Sequence, residues 1–213
     1  MTIYLHSWES TRVFNSRSVS PLPSVSIVIP ARNEALHIEH LIYDLLQQDY
    51  PAHLIEIIVV DDHSEDQTPE IVRKINHERV HLIALDQYLL TQEITTAYKK
   101  KAIEAGVQSA KGQLIMTTDG DCRVTSKWVS SMVNIWATSG AKLLTGAVVM
   151  TETDTLFKKF QTLDFLGMMG ITAAMLKMKI YNMANGANLL YEKSAFNSVD
   201  GFKGIDHLAS GDD

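Results

Sequence analysis

Asp119-Gly120-Asp121 sets two carboxylates one small residue apart. At that spacing both can reach one divalent cation, and glycine lets the backbone lie close to a ligand. Such a cation would bridge to diphosphate oxygens that bare carboxylates repel. A second acidic pair, Asp61-Asp62, precedes His63 and Ser64. There one acid can cap a turn while the other accepts hydrogen bonds from a base or ribose. A third polar cluster is Pro30-Ala31-Arg32-Asn33-Glu34. Each cluster also has a plainer reading, since Asp, Asn, Ser and Gly end strands and make turns. Position must decide between the two.

The segments around these clusters alternate in kind. Val25–Pro30, Ile55–Val60, Val80–Leu85 and Gln113–Thr118 are short apolar runs that read as buried strands. Between them, Glu34–Gln48 carries Ile38, Leu41, Ile42 and Leu45 on one helical face. Thr68 followed by Pro69 reads as an N-cap and first helical residue, with that helix running to about Glu78. Residues 95–110 read as a helix stopped by Lys111-Gly112. Strands alternating with helices imply a mostly parallel α/β sheet covered on both faces. Ligands of such sheets bind beyond the carboxyl ends of the strands, where all three polar clusters fall. Past residue 122 the rhythm loosens. Ser126–Thr138 reads as a helix, Lys142–Met150 as a strand, Thr151–Lys179 as mostly helix and Asn185–Tyr191 as extended chain.

Of the remaining chemistry-bearing side chains, Lys99, Lys100 and Lys101 stand consecutively on a helix. At about 100° per residue at most one or two of them can face one site. His37 and His40 read as exposed, Cys122 as a small core residue, and Met168, Met169, Met175 and Met178 as a packing or membrane-facing side. One cysteine excludes a disulfide framework. The formal charge of −6 is the wrong sign for holding nucleic acid by bulk charge, so no nucleic-acid partner is expected. No signal peptide is visible, and the twelve-residue apolar run Phe165–Leu176 is too short to span a bilayer. The chain itself is therefore expected to be soluble.

In order along the chain, these segments resemble family 2 glycosyltransferases, inverting enzymes of the GT-A fold. Val25–Glu34 is similar to that family's opening strand and turn, and Val59–Thr68 to its nucleotide-binding turn. Lys99 with Ala102–Gly106 and Ala110–Gly112 is similar to the segment before the metal strand, and Asp119-Gly120-Asp121 to the DXD motif. Asn185-Gly186-Ala187-Asn188-Leu189 resembles the acceptor-side segment, and Ser210-Gly211-Asp212-Asp213 the acidic motif of the catalytic base. The chain departs from the pattern at Tyr98, where glycine is usual, and at Asp212, where glutamate is commoner.

The resemblance implies a GT-A fold with an arm at 1–24, a nucleotide-sugar-binding half at 25–122 and an acceptor-side half at 123–213. It implies inverting, metal-dependent transfer of a sugar from a nucleotide-diphosphate sugar, UDP-sugar favoured, to a saccharide or lipid-linked acceptor. Pro30, Ala31, Asn33, Glu34, Asp61, Asp62, Lys99, Asp119 and Gly120 would bind the nucleotide. Asp119 and Asp121 would hold Mg²⁺ or Mn²⁺, Asn185, Gly186, Ala187 and Asn188 would lie on the acceptor side, and Asp213, with Asp212, would act as base. The acidic motif falls at the last residue, so the chain is expected to be a domain of a longer protein acting at the cytoplasmic face of a membrane. Two alternatives stand beside this reading. A catalytically incompetent nucleotide-binding fragment is one. The other is a sugar nucleotidyltransferase, which should carry a glycine-rich loop where this chain has Pro30–Glu34.

Overall fold

A computed structural model of the chain describes residues 20–89, 97–151, 154–180, 184–205 and 208. Strand β1 (Val25–Ala31) is the centre of the sheet because nearly every side chain it carries is apolar and buried. The period-2 alternation of a strand sends Val25, Ile27, Ile29 and Ala31 into one core cluster and Val28 into the other. Strand β2 (Ile55–Asp61) divides in the same way, with Ile57 and Val59 opposed to Ile58 and Val60. A sheet that is apolar on both faces must be covered on both.

The first face is covered by α1 (Ile38–Leu46), whose Ile38, Leu41, Ile42 and Leu45 recur at helical spacing and are all buried. Helix α2 (Thr68–Ile75) packs beside it through Val72. The chain then enters β3 (Val80–Ala84) and a short helix, α3 (Leu85–Leu89). The opposite face is covered by α4 (Tyr98–Ser109) through Ala102, Ile103, Ala105 and Val107. Gly106 of α4 lies against the Val28 side chain, in space a β-carbon would occupy. Strand β4 (Leu114–Thr117) then returns to the sheet.

The strands are ordered β3-β2-β1-β4-β6-β5. The first four run parallel, with Ala31 opposite Asp61 and Asp61 opposite Ala84. Strand order therefore departs in opposite directions from β1, leaving a switch point between the carboxyl ends of β1 and β4. That is where open α/β sheets bind ligands. The sheet is completed by β5 (Leu143–Thr145) and β6 (Leu189–Glu192), the latter antiparallel to both neighbours. β6 pairs with β4 across the expected boundary at residue 122, so the sheet is continuous through it.

Helix α5 (Trp128–Ser139) buries Val129, Met132 and Val133 in the first core. Helix α6 (Leu156–Lys177) is the longest, and α7 (Lys193–Ser198) closes the described order. α6 leaves Leu156, Phe160 and Leu163 at 86%, 66% and 69% exposure.

Several expectations need correction. The strand expected over 142–150 is confined to Leu143–Thr145, since beyond Thr145 it no longer pairs with β6. Residues 186–188 form a 3₁₀ turn before β6 begins. α2 ends at Ile75 because Asn76 turns left-handed, at φ 41°. Thr68 is the first residue of α2 and does not cap it. Its hydroxyl is turned instead toward the loop after β1, and the Asp66 carboxylate accepts the Thr68 N–H.

The turn from α4 into β4 is fixed by backbone contact. The Gly112 N–H donates to Ser26 Oγ at 2.8 Å, Ser26 donates to Glu56, and Glu56 also accepts the Lys111 N–H at 2.5 Å. A β-carbon at Gly112 would stand 2.5 Å from the Ser26 nitrogen and 2.8 Å from the Val25 carbonyl carbon. Backbone cannot yield as a flexible side chain can. Gly112→Ala is expected to cost about 1–3 kcal/mol. Gly167→Ala on α6, which meets open space, should gain about 0.5–1 kcal/mol from helix propensity. Urea unfolding of the two variants checks the contrast.

Candidate active site

Beyond the carboxyl ends of β1, β2 and β4 lies a cavity of about 250 Å³. It is lined by Pro30, Ala31, Arg32 and Glu34 from the first loop, Asp62 from the second, Lys99 from α4, and Asp119, Gly120 and Asp121 from the third. The three clusters read from the sequence thus converge on one edge.

Loop-to-loop hydrogen bonds set the cavity wall. Past β1, the N–H groups of Asn33, Glu34 and Ala35 donate in succession to Ser64 Oγ, Thr68 Oγ1 and Asp66 Oδ2, at 3.0, 2.8 and 3.0 Å. Asn33 is left-handed at φ 59°, and its Oδ1 accepts the Glu65 N–H at 2.8 Å. Asn33 therefore joins the first loop to the second and is absent from the cavity lining. Asp61 is also outside the lining, and its Oδ1 is buried without a hydrogen-bond partner among the described residues. Asp62 is brought inward by its backbone N–H, which donates to the Ala31 carbonyl at 2.8 Å.

The third loop is held from α1. Arg123 donates from Nε and a terminal nitrogen to the two oxygens of Asp44 at 2.6 and 2.9 Å. Gln48 donates to the Thr125 carbonyl at 2.8 Å and accepts the Val129 N–H at 3.0 Å. These contacts fix the chain just after Asp121. Gly120 faces Glu34 so closely that a β-carbon there would stand 2.7 Å from Glu34 Cγ.

Four carboxylates, Glu34, Asp62, Asp119 and Asp121, meet two cations, Arg32 and Lys99, in one lining. Lys99 reaches Asp119 at 3.0 Å. Glu34 is perturbed by burial and by these neighbours together. Burial holds its carboxyl above the ordinary value and Asp121 pushes the same way; His37 opposes, while Asp119 and Asp66 add to the rise. The edge is therefore poised for a cation. Asp119 and Asp121 offer carboxylates on the two sides of Gly120, but among the described residues no three His, Cys, Asp or Glu side chains form a self-sufficient metal centre. The residues fit a cation that takes its other ligands from a bound diphosphate. Cys122 is half-buried beside Asp121, not a core residue.

The other expected site residues have clear places. Asn185 Oδ1 accepts the Ala187 N–H at 3.0 Å, and the Gly186 carbonyl accepts from Thr117 Oγ1 at 2.7 Å. The Asn188 amide is spent on structure, accepting from Trp128 Nε1 at 2.9 Å and donating to the Ala147 carbonyl at 2.9 Å. Asp212 and Asp213 lie outside the described residues. The three lysines diverge: Lys101 pairs with Glu104 at 2.8 Å, and Lys100, 1% exposed, donates to the carbonyls of Ile205 and Leu208 at 2.8 and 3.0 Å. Sequence reasoning missed that anchor and also the place of Arg32 in the lining. Only the lysine run and the cluster itself pointed toward them.

The sequence profile of Glycosyl transferase family 2 matches residues 26–200. The chain belongs to that family. It is 29% identical over 198 residues to Glycosyltransferase AglE of Haloferax volcanii, a match covering 91% of this chain and 60% of the relative. A beta-monoglucosyldiacylglycerol synthase of Trichormus variabilis is 28% identical over 59% of this chain and 26% of its own length. The chain thus spans less than two thirds of these relatives. Among solved structures, mannosyltransferase PcManGT of Pyrobaculum calidifontis, in complex with GDP-Man and Mn²⁺, superposes with TM-score 0.69 at 21% identity, covering 97% of this chain and 56% of that one. Glucosyl-3-phosphoglycerate synthase of Mycobacterium tuberculosis, with Mn²⁺ and UDP, gives 0.61 at 17% identity, covering 88% and 65%. The family 2 chain thus has the GT-A fold, as its sequence implied.

Glu34 gives this edge a pH signature. Its carboxyl pKa is raised on folding, so the folded state holds the proton more tightly, and stability is lost as pH rises from the ordinary carboxyl value through the raised one. Glu34→Gln removes that loss. In EDTA, the variant should melt higher than the parent chain above the window and level with it at low pH. Thermal melts across pH 3 to 8 check it.

Proposed function

We propose that this chain transfers a sugar from a nucleotide-diphosphate sugar to an acceptor hydroxyl, with inversion and with help from a divalent cation. The observation that carries the reading is the convergence, at the switch point of a family 2 sheet, of the Asp119-Gly120-Asp121 turn with Asp62 and Lys99. Relatives of this fold in complex with GDP-Man and Mn²⁺, and with UDP and Mn²⁺, support it.

In this reading Pro30 and Ala31 form the floor against which the nucleotide lies, and Asp62 accepts hydrogen bonds from its base or ribose. Arg32 and Lys99 face the phosphates. Asp119 and Asp121 would hold Mg²⁺ or Mn²⁺, which when bound neutralises charge developing on the leaving diphosphate. Lys99 occupies Asp119 in the absence of ligand and exchanges that carboxylate for phosphate oxygen. Asp213 takes the acceptor proton, since an inverting transfer needs one carboxylate opposite the leaving group. Asp62, Asp119 and Asp121 are committed to the donor side, and Asp61 lies outside the cavity. Gly186 and Ala187 border the acceptor approach, while Asn188 supports it from behind. The donor is a UDP- or GDP-sugar and the acceptor a saccharide or lipid-linked alcohol.

Calorimetric titration with UDP and GDP tests the donor site. Asp121→Asn should lower affinity at least tenfold in Mn²⁺ and leave the weak affinity in EDTA unchanged, a loss of about 1.4 kcal/mol or more. Equal affinity with and without Mn²⁺ would overturn the cation assignment. Asp213→Asn should spare nucleotide affinity and abolish transfer.

The same reading places the longer protein at a membrane. Leu156, Phe160 and Leu163 form an exposed apolar stripe on α6, with Lys159 to one side of it. Such a helix fits the plane of an interface. Among the described residues no helix is long and apolar enough to cross a membrane. Sedimentation with anionic phospholipid vesicles should carry the chain down, and Phe160→Ser with Leu163→Ser should release it.

A further inference from the structure

His63 belongs to neither the cation cluster nor the cavity lining, yet both nitrogens of its ring are engaged by carboxylates. Nδ1 lies 2.7 Å from Asp62 Oδ1 and Nε2 lies 2.5 Å from Asp86 Oδ1. A neutral imidazole donates from only one nitrogen, so its other lone pair would face a carboxylate oxygen. Only the imidazolium satisfies both contacts. The groups facing the ring are Asp62 from its own loop, Asp86 from α3, and Tyr98 from α4, whose ring meets it edge-on with centroids 5.3 Å apart. The position itself is left-handed, at φ 57°. Asn and His are among the residues that tolerate this conformation.

We infer that His63 is a positioning residue for the donor site: its imidazolium ties Asp62 to Asp86 and orients the Asp62 carboxylate toward the nucleotide, so that donor affinity depends on its charge. This rests on the proposed nucleotide role of Asp62. With one oxygen of Asp62 taken by the imidazolium, the other is presented to the cavity in one orientation. The same cation offsets part of the acidic edge that a diphosphate must enter. Loss of the proton removes one of the two contacts and one positive charge, and both changes weaken anion binding. The hydrogen bond to Asp62 holds the ring's pKa above its ordinary value against the opposing effect of burial, with Asp86 adding to the rise. The two carboxylate contacts call for the charged form, and that form is lost as pH rises through the raised value.

The experiment is calorimetric titration of the chain with UDP and with GDP, in Mn²⁺, from pH 6 to pH 9. Wild type should lose roughly tenfold in affinity across the imidazole titration, the equivalent of one pKa unit of coupling. His63→Asn keeps a residue suited to the left-handed position and should lose that pH step. Asp86→Asn lies outside the cavity lining and should move the step to lower pH while keeping the affinity at pH 6. Metal and phosphate titrations are common to all three proteins and cancel in the comparison. Parallel profiles for wild type and His63→Asn, or an unmoved midpoint in Asp86→Asn, would overturn the role of His63 while leaving the donor site intact. Absence of nucleotide binding at every pH would overturn the donor reading itself, and this inference with it.

Discussion

Three consecutive backbone N–H groups leave the end of β1 with no strand beside them to accept their hydrogen bonds. Asn33, Glu34 and Ala35 solve this by donating to Ser64, Thr68 and Asp66, all side chains of the loop after β2. Asn33 is exposed and Glu34 and Ala35 half-buried, so these bonds matter less as rescue of buried amides than as fixed points that set how the two loops meet. Their geometry is what brings the first loop onto the second and turns Glu34 toward Gly120. The rest of the site follows from that stitch. It explains why Asn33 and Thr68, which look like ligand-binding or capping residues, are occupied in holding two strand ends together.

The loops so joined create an electrostatic imbalance that the fold tolerates without resolving. Four carboxylates and two cations share one cavity, and the Glu34 carboxyl is raised first by burial and then by the neighbouring Asp121. A site selected for stability alone would have replaced one acid. Arg123 with Asp44, and Gln48 with the Thr125 carbonyl, hold the third loop so that Asp119 and Asp121 do not simply swing apart into water.

Much of this was legible in the residues. Near-continuous apolar runs placed the four parallel strands, and helical apolar spacing placed α1, within a few residues, because burial on two faces leaves little freedom in such segments. The strand-end rule then put Glu34, Asp62, Asp119 and Asp121 together, while Lys99 was assigned to the same edge only by the family resemblance. What escaped was local or long-range in a way pattern does not record. Asn33 and Thr68 have side chains suited to several jobs, and only the partner loop decides which. β5 is short because β6 covers only three of its residues, a limit set by pairing and not by propensity. The bridge that the Asn188 amide makes between Trp128 and Ala147, from elements far apart in sequence, is likewise invisible to pattern.

The lysine run shows most clearly how one helix turn can serve several places at once. Successive residues on α4 point about 100° apart, so Tyr98, Lys99 and Lys100 cannot share a target. Tyr98 meets His63 of the second loop, Lys99 pairs with Asp119 of the third, and Lys100 donates to the carbonyls of Ile205 and Leu208. The last contact takes a long cationic side chain out of water to hold backbone, with the Phe202 ring 5.9 Å from its nitrogen. Burying such a group is expensive unless its donors are satisfied, and the two carbonyls supply that satisfaction only if residues 205 and 208 stay where they are. The first turn of α4 therefore links the loops after β2 and β4 to the backbone at residues 205 and 208. A displacement of that turn would be felt at each of its three ends.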